Sequence, residues 1–419
     1  MKADSVHSIP LLIVGAMLLG MVTGLVGGAA VAPLGAVGTL YIQMIKALAV
    51  PLVFVSIIEA IITTSLSWAT ARRWLAVIAI NATCALCIGL FISNTIRPGE
   101  GFVISNQNRA GAPAEPEFNR SGAAHLSGGI SLHSFVEQLV PRSIIAPFAD
   151  NNVLAVVVLA LLFGLAMRKY ASQPDSLLTL ETAERVSKAA GGIVVQIIFW
   201  LVKLVPCAVF CVTARTVGES GFAPFLGLAW YVGVAMLGLT LQMILIYPLW
   251  IKMKAGIPLR LFWAEASKPA TYAFGTNSSL ATIPLSLAAL DRLGVSKAAS
   301  RLATCIGTNF NNDGILLYEA IAVLFVAQAL GVELSLGEQV FAALVSVVAA
   351  VGVAGVPEAG VVSLALVLAA VGLPAEVLPL LLTVDWIVAR MRSVVNVMSD
   401  MTVSIAVSAM EQKTGSGQP

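Results

Sequence analysis

The chain has 419 residues, of which 58% are hydrophobic and 11% charged, with a formal net charge of +2. An average soluble domain carries about 25% charged residues, so this composition, with its mean hydropathy of +0.92, excludes an ordinary soluble protein and points to an all-α polytopic membrane protein. The small net charge says little about partners, because in such a chain charge matters loop by loop; lipid is expected around it and nucleic acid is not.

Apolar runs of spanning length lie near 9–31, 38–67, 74–96, 151–168, 188–217, 222–251, 302–331 and 374–410. Each can cross the ~30 Å hydrocarbon core as a helix. The first run, Ile9 to Val26, is of spanning length and ends in Gly-rich sequence, so no cleavable signal is expected. The stretch Pro98 to Ala146 is polar and rich in Gly, Pro, Ser and Asn. It reads as an extracellular connection, 97–150, with His125 and His133 in it solvated, like His7 near the start. Cys84, Cys87, Cys207, Cys211 and Cys305 all fall inside apolar runs. The Cys84-x-x-Cys87 pair has no second pair or nearby His, so plain buried thiols are expected.

Two further apolar stretches are interrupted. Gly275-Thr276-Asn277-Ser278-Ser279 breaks 259–292, and Gly352 to Gly360 breaks 337–372. Irregular backbone at membrane depth is tolerated only where protein covers it or a cavity adjoins it. Both therefore read as re-entrant helical hairpins with polar tips near mid-bilayer; kinked spanning helices are the alternative. Each hairpin is followed by a spanning helix (259–331 and 337–410), which suggests an internal repeat. Paired interrupted segments of this kind are the strongest sequence pointer to the binding site of a secondary transporter. With eight spans and two returning hairpins, Arg72-Arg73, Arg168-Lys169, Lys252-Lys254-Arg260 and Lys297-Arg301 share one face with Lys2 and Lys413. That face is the cytoplasm by the positive-inside rule. The tail 412–419 reads as a disordered end.

Ionisable groups at bilayer depth cost several kcal/mol unless paired or wet, and so mark function. The last run carries Asp385, Arg390, Arg392, Asn396 and Asp400 among Leu, Val, Ile and Met. Asp385, Arg392, Asn396 and Asp400 stand at i, i+7, i+11 and i+15, within roughly a third of a helix circumference, with Ala389 on the same face and Arg390 elsewhere. A second cluster, Gly307-Thr308-Asn309-Phe310-Asn311-Asn312-Asp313-Gly314, should unwind the helix at 302–331. Its freed carbonyls and Asp313 would form a hard-oxygen cage for a small cation such as sodium. A kink held by amide hydrogen bonds is the alternative, and it would leave a buried Asp313 without a counter-charge.

These blocks resemble the glutamate transporter and sodium:dicarboxylate symporter family. Ser278-Ser279-x-x-Thr282-x-Pro284 is similar to that family's serine-rich tip, and Asn311-Asn312-Asp313-Gly314 to its N-M-D-G-T. Ala354 to Gly360 is similar to its second hairpin tip, and Asp385-Trp386 through Asn396-Val397-Met398-Ser399-Asp400 to its last helix. The four blocks keep the family's order, and the likeness covers essentially the whole chain.

The resemblance implies eight transmembrane helices, two oppositely oriented re-entrant hairpins with inverted-repeat pseudo-symmetry, and a homotrimer. A transport unit (74–96 and 259–411) would slide against a scaffold (38–67 and 151–258), with hairpins at 259–292 and 337–372 and helices at 297–331 and 374–411. Arg392 matches the arginine that binds a substrate carboxylate, and its planar fork suits that role. Ser278, Ser279 and the backbone of Gly355, Val356 and Pro357 match the groups holding the other carboxylate. Ser393 replaces a threonine, and Asn396 matches a residue of substrate and sodium coordination. Gly307, Asn311, Asp313, Asn396 and Asp400 match sodium ligands. Asn81-Ala82 stands where a Thr-Ser pair would help bind a further ion; Asn81 can offer an oxygen and Ala82 cannot. Glu319 matches a carboxylate that takes up a co-transported proton in animal members.

Ala389 departs from the pattern, standing where amino-acid carriers place the aspartate that binds substrate ammonium. Losing a charge-assisted hydrogen bond of roughly 1.5–3 kcal/mol would weaken amino-acid binding, and Ile315 removes another polar contact. The expectation is a sodium-coupled symporter of a C4-dicarboxylate working by elevator-type alternating access, in a cell membrane with both termini cytoplasmic. A sodium/proton-coupled acidic amino acid symporter is the alternative, and an anion channel a weaker one. Ser278 and Ser279 have no general base within the apolar segments, so an enzyme is not expected.

Overall fold

The computed structural model describes residues 8–63, 68–100, 102, 140–141, 143–150, 152–173, 179–353, 359–374 and 377–413. Among these the chain is helical, with no strand. The second hairpin tip, with Gly355, Val356 and Pro357, lies outside the described residues, as do His7, His125, His133 and the tail from 414.

The first half is built from long apolar helices: α1 (Ser8–Gly27), α2 (Gly35–Thr63) and α3 (Trp68–Ile96), with a 3-10 segment at Gly28–Leu34 between the first two. α3 stops at Arg97, whose left-handed backbone (φ 49°) precedes Pro98; helical backbone is disfavoured for a residue before proline. A short α4 (Ala146–Ala149) seats Phe148 edge-on against Phe54 of α2 at 5.2 Å. α5 (Val153–Ala171) is capped by Asn152, and α6 (Leu180–Val202) by Thr179. Both side-chain oxygens accept from a backbone amide of the first turn, the usual means of satisfying a helix N-terminus.

The span expected at 188–217 is corrected. α6 starts earlier, at Leu180, and the chain breaks at Lys203–Leu204 before α7 (Val205–Ser220). Pro206 in the first turn of α7 has no N–H and crowds the carbonyl four residues back. Leu204 N consequently bonds Leu201 O at 2.8 Å in a tighter turn.

α8 (Ala223–Leu241) runs on without a break through a π-turn (Gln242–Ile246), a helical turn (Tyr247–Trp250) and a second π-turn (Ile251–Ala255), and ends at Gly256. The interrupted stretch at 259–292 is two helices, α9 (Leu259–Thr276) and α10 (Ser279–Arg292), packed on one another across a two-residue reversal. The next helix is unwound where the Gly/Asn cluster predicts. α11 (Lys297–Arg301) loosens into a π-turn (Leu302–Ile306) and a 3-10 turn (Gly307–Asn309) before α12 (Asp313–Ala329). α13 (Leu336–Val353) and α14 (Ala359–Ala370) form the second packed pair, and α15 (Leu378–Lys413) closes the chain.

Among the described residues, five segments are long and apolar enough to cross a membrane: Leu12–Tyr41, Arg72–Ile96, Leu180–Val202, Pro224–Ala255 and Leu378–Gln412. Their burial ranks them. The apolar window of the last is 83% buried inside the protein, that of the first only 17%. A helix with a charged seam has to turn it away from lipid, and α15 does so by lying at the centre of the fold, in contact with α3, α8, α9, α10, α12 and α14. α2 packs on α5, α6 and α7 and also on α13 and α14, α7 reaches α15, and α1 lies along α7. α8, grouped with the scaffold by the resemblance, packs instead on α3, α12 and α15.

Candidate functional site

Two local breaks bring the polar residues together. At the first, Asn277 takes the left-handed conformation (φ 51°) and Ser278 the extended one, its side chain accepting from Ala281 N at 3.2 Å. The tip is then docked from two sides. Ser393 Oγ on α15 donates to Asn277 Oδ1 at 2.9 Å, and Thr308 Oγ1 of the unwound segment donates to Ser279 Oγ at 3.1 Å. At the second break, Asn311 N and Phe310 N both bond Gly307 O at 2.7 Å, which ends the 3-10 turn and frees the side chains of 311–313 to reach α15.

The charged seam of α15 divides into a clamp and a cation-type cluster. In the clamp, Arg392 is buried and donates to Asp385 through both terminal nitrogens, at 3.2 and 3.3 Å. Its guanidinium carbon lies 4.3 Å from the centroid of the Tyr318 ring. A Cβ on Gly360, in the first turn of α14, would meet that carbon at 2.3 Å, so the second helix pair rests its backbone directly on the guanidinium. The fork is thus fixed by an ion pair, a ring and a backbone. Two of its five N–H donors face Asp385. Ala389 is fully buried on this seam, between Asp385 and Arg392. No carboxylate occupies its position.

One to two turns further on, Asn396 Oδ1 accepts from Gly314 N at 2.8 Å, and its Nδ2 donates to Asn312 Oδ1 at 3.4 Å. Asn312 in turn donates to Ala350 O at 3.1 Å. That carbonyl belongs to the last turn of α13, where helix carbonyls lack intrahelical partners. Asn312 therefore ties the unwound segment to the second helix pair.

The cation-type cluster centres on Ser399. Its hydroxyl donates to Asp313 Oδ2 at 2.6 Å and accepts from Asn311 Nδ2 at 2.9 Å and Asn81 Nδ2 at 3.3 Å. Asn311 also donates to Asp400 Oδ1 at 2.9 Å. Gly307 adjoins the same oxygen, a Cβ there standing 3.7 Å from it. Asn81 has its side-chain oxygen taken by Trp250 Nε1, at 2.6 Å. Asp313 Oδ2 receives Tyr247 Oη at 3.2 Å and Gln242 Nε2 at 3.3 Å as well. Among the described residues neither Asp313 nor Asp400 has an ion-pair partner, and no three His, Cys, Asp or Glu cluster together. Amide, hydroxyl and carboxylate oxygens without thiolate or imidazole suit a hard alkali cation. Glu319 stands apart, fully buried in α12 with neither carboxyl oxygen hydrogen-bonded.

The structure therefore brings Asn311, Asp313, Asp400, Gly307 and Asn81 into one network, Arg392, Asp385 and Ala389 into another, and Ser279 and Ser393 to their common edge. Sequence reasoning missed Ser399, Gln242, Tyr247 and Trp250. Gln242 carried a signal, a lone amide within an apolar span; the partners of the other three depend on packing.

Comparison with known proteins is consistent across nearly the full length. A sequence model described as the sodium:dicarboxylate symporter family matches residues 9–410. A "C4-dicarboxylate transport protein" of Stenotrophomonas maltophilia (strain R551-3) is 28% identical over 389 residues, covering 89% of this chain and 82% of the relative. A protein of the same description from Paracoccus denitrificans (strain Pd 1222) is 29% identical over 388 residues, covering 92% and 82%. A "Proton/sodium-glutamate symport protein" of Bacillus subtilis (strain 168) is 27% identical over 401 residues, covering 94% and 91%. The helical, apolar architecture and this match together make the chain a multi-pass membrane transporter, not an enzyme, and it belongs to the sodium:dicarboxylate symporter family.

Proposed function

We propose that this transporter couples sodium to the uptake of a C4-dicarboxylate of the succinate, malate or fumarate kind. The observation that carries the substrate is Ala389, buried and without a carboxylate beside an intact Arg392 clamp. An amino-acid substrate would bury its ammonium there unpaired, whereas a dianion without an amine meets only apolar wall. The names of the similar bacterial C4-dicarboxylate transport proteins support the same choice.

In this reading one carboxylate meets the guanidinium of Arg392 and the other Ser278, Ser279 and the segment of Gly355, Val356 and Pro357. Ser393 and Asn396 frame the space between. Gly307, Asn311, Asp313, Asn396, Asp400 and Asn81 supply sodium oxygens, and Glu319 carries a proton where one is co-transported. The two helix pairs act as re-entrant hairpins among eight spans, with both termini cytoplasmic. A transport unit of α3, α8 and 259–411 moves in elevator fashion against a scaffold built on α2, α5, α6 and α7 in a homotrimer. The packing of α8 on α3, α12 and α15 supports moving it to the transport unit.

The test is uptake of radiolabelled succinate and aspartate into proteoliposomes by the wild type and by Ala389→Asp. Sodium-dependent succinate uptake, with aspartate uptake gained only in the variant, is expected. High-affinity aspartate uptake by the wild type would overturn the substrate assignment in favour of acidic amino acid symport.

A further inference from the structure

Trp74, in the second turn of α3, is 4% exposed, and its ring stands edge-on to Phe310 of the unwound segment at 5.7 Å. Its Nε1–H has no partner among the described residues. A buried indole N–H normally finds one, and leaving it without one is as costly as losing a hydrogen bond. Gly307 marks what this N–H faces. A Cβ built there would stand 3.5 Å from Trp74 Nε1, 3.6 Å from Leu302 O and 3.7 Å from Asp400 Oδ1, and nothing outside its own turn comes closer. One point beside Gly307 is thus within contact distance of both an unpaired donor and a buried carboxylate.

Of the two acceptors there, Leu302 O already takes the Gly307 N–H. Asp400 has the greater need. It is buried without an ion-pair partner among the described residues, and its Oδ1 takes one amide, Asn311 Nδ2. Asp313 beside it collects Ser399, Tyr247 and Gln242 on a single oxygen. Carboxylates at such depth are costly unless compensated. In the loaded carrier the cargo cation compensates them. A carrier that has released its cargo must recross with N–H and O–H dipoles in its place, a step that net uptake requires and exchange does not.

We propose that the Trp74 indole N–H serves the Asp400 carboxylate of the ion-free carrier, making Trp74 a positioning residue for the empty return step. The inference rests on the sodium coupling proposed above and adds no ion site to it. The N–H reaches the carboxylate on a turn of the Asp400 side chain or through one bridging water. Either way it stabilises the ion-free form, and whatever favours the free form over the bound one weakens binding correspondingly. The edge contact with Phe310 keeps the ring, and with it the N–H, beside Gly307.

The test compares the wild type with Trp74→Phe, which keeps a ring against Phe310 and deletes the N–H, and with Gly307→Ala. The alanine methyl would sit at ordinary contact distance, between donor and carboxylate. Each purified protein in lipid nanodiscs is unfolded thermally while sodium chloride replaces choline chloride at constant ionic strength. Ions bound only by the folded state raise the melting temperature, so the midpoint of the rise reads sodium affinity without a transport assay. In proteoliposomes, net succinate uptake is then compared with succinate exchange under equal sodium on both sides. Trp74→Phe is expected to lower the sodium midpoint about threefold or more, the scale of losing one hydrogen bond to a charged group. Its net uptake should fall about fivefold or more relative to exchange, and Gly307→Ala should shift both ratios the same way. A residue that merely packs would leave the midpoint unchanged or raise it, and would slow both fluxes alike; either result in Trp74→Phe would overturn the inference. Should Trp74→Phe not fold, Gly307→Ala decides by the same two readouts. A wild type that responds equally to sodium and choline would overturn the sodium coupling itself, and this inference with it.

Discussion

Replacing Gly360 by alanine tests whether the guanidinium of Arg392 is held where the structure puts it. The added methyl would stand 2.3 Å from Arg392 Cζ, 2.4 Å from Nη1 and 2.7 Å from Nε, against ~3.5–4.0 Å for an unstrained contact. An arginine at the surface would swing aside at little cost. Here Asp385 grips both terminal nitrogens and the Tyr318 ring covers one face at 4.3 Å, so retreat means giving up one or both. Either way the donors proposed for the substrate carboxylate leave their place. Hydrogen bonds to a charged group contribute about 1.5–3 kcal/mol, which at ~1.4 kcal/mol per decade is roughly a 10- to 100-fold loss in affinity. The assay is the concentration dependence of succinate uptake in proteoliposomes, with sodium-dependent thermal stabilisation of the same preparation as a check on folding. A KM within twofold of the wild type, in a protein still stabilised by sodium, would refute the proposed clamp geometry.

Three further substitutions probe the remaining contacts. Asp385→Asn leaves Arg392 buried beside a neutral partner, at a cost of about 3–5 kcal/mol; the melting temperature should fall, and added succinate should raise it by more than in the wild type, because its carboxylate replaces the missing charge. Ser399→Ala removes the hydroxyl that serves Asp313, Asn311 and Asn81 together. It should cost about 1–3 kcal/mol of stability and raise the half-saturating sodium concentration severalfold in a sodium titration of unfolding. Asn312→Met removes the donor to Ala350 O at the end of α13; a loosened second helix pair should release bound substrate severalfold faster in a chase experiment, with little change in sodium affinity.

Much of this arrangement was readable before any coordinates, because lipid makes polar residues conspicuous. The spacing of Asp385, Arg392, Asn396 and Asp400 placed them on one face of a helix, and α15 buries that face as expected. Clusters of Gly, Asn and Ser at 275–279 and 307–314 located two backbone breaks, for the same reason that such residues break helices anywhere: they offer the backbone local alternatives. Other features depended on packing. That Asp385 pairs with Arg392 follows from side-chain geometry that the spacing permits without selecting. The interruption at Lys203–Leu204 lay within a stretch read as one span, although the charge of Lys203 and Pro206 both marked it. The π-turns of α8 have no residue signature, so the convergence of Gln242, Tyr247 and Trp250 on α3 and α12 was invisible to a reading based on regular helical period. The packing of α8 on α3, α12 and α15 was unreadable for the same reason, since an apolar helix declares its neighbours only through its few polar contacts.

The central claim is that a sodium gradient drives dicarboxylate across the membrane through this site. The most direct measurement is the accumulation of radiolabelled succinate in proteoliposomes at zero membrane potential, with sodium either higher outside or equal on both sides. The account predicts uphill accumulation only under the inward gradient, abolished in Asp313→Asn and Asp400→Asn. Equal accumulation without the gradient, or succinate that only equilibrates when the gradient is present, would contradict it.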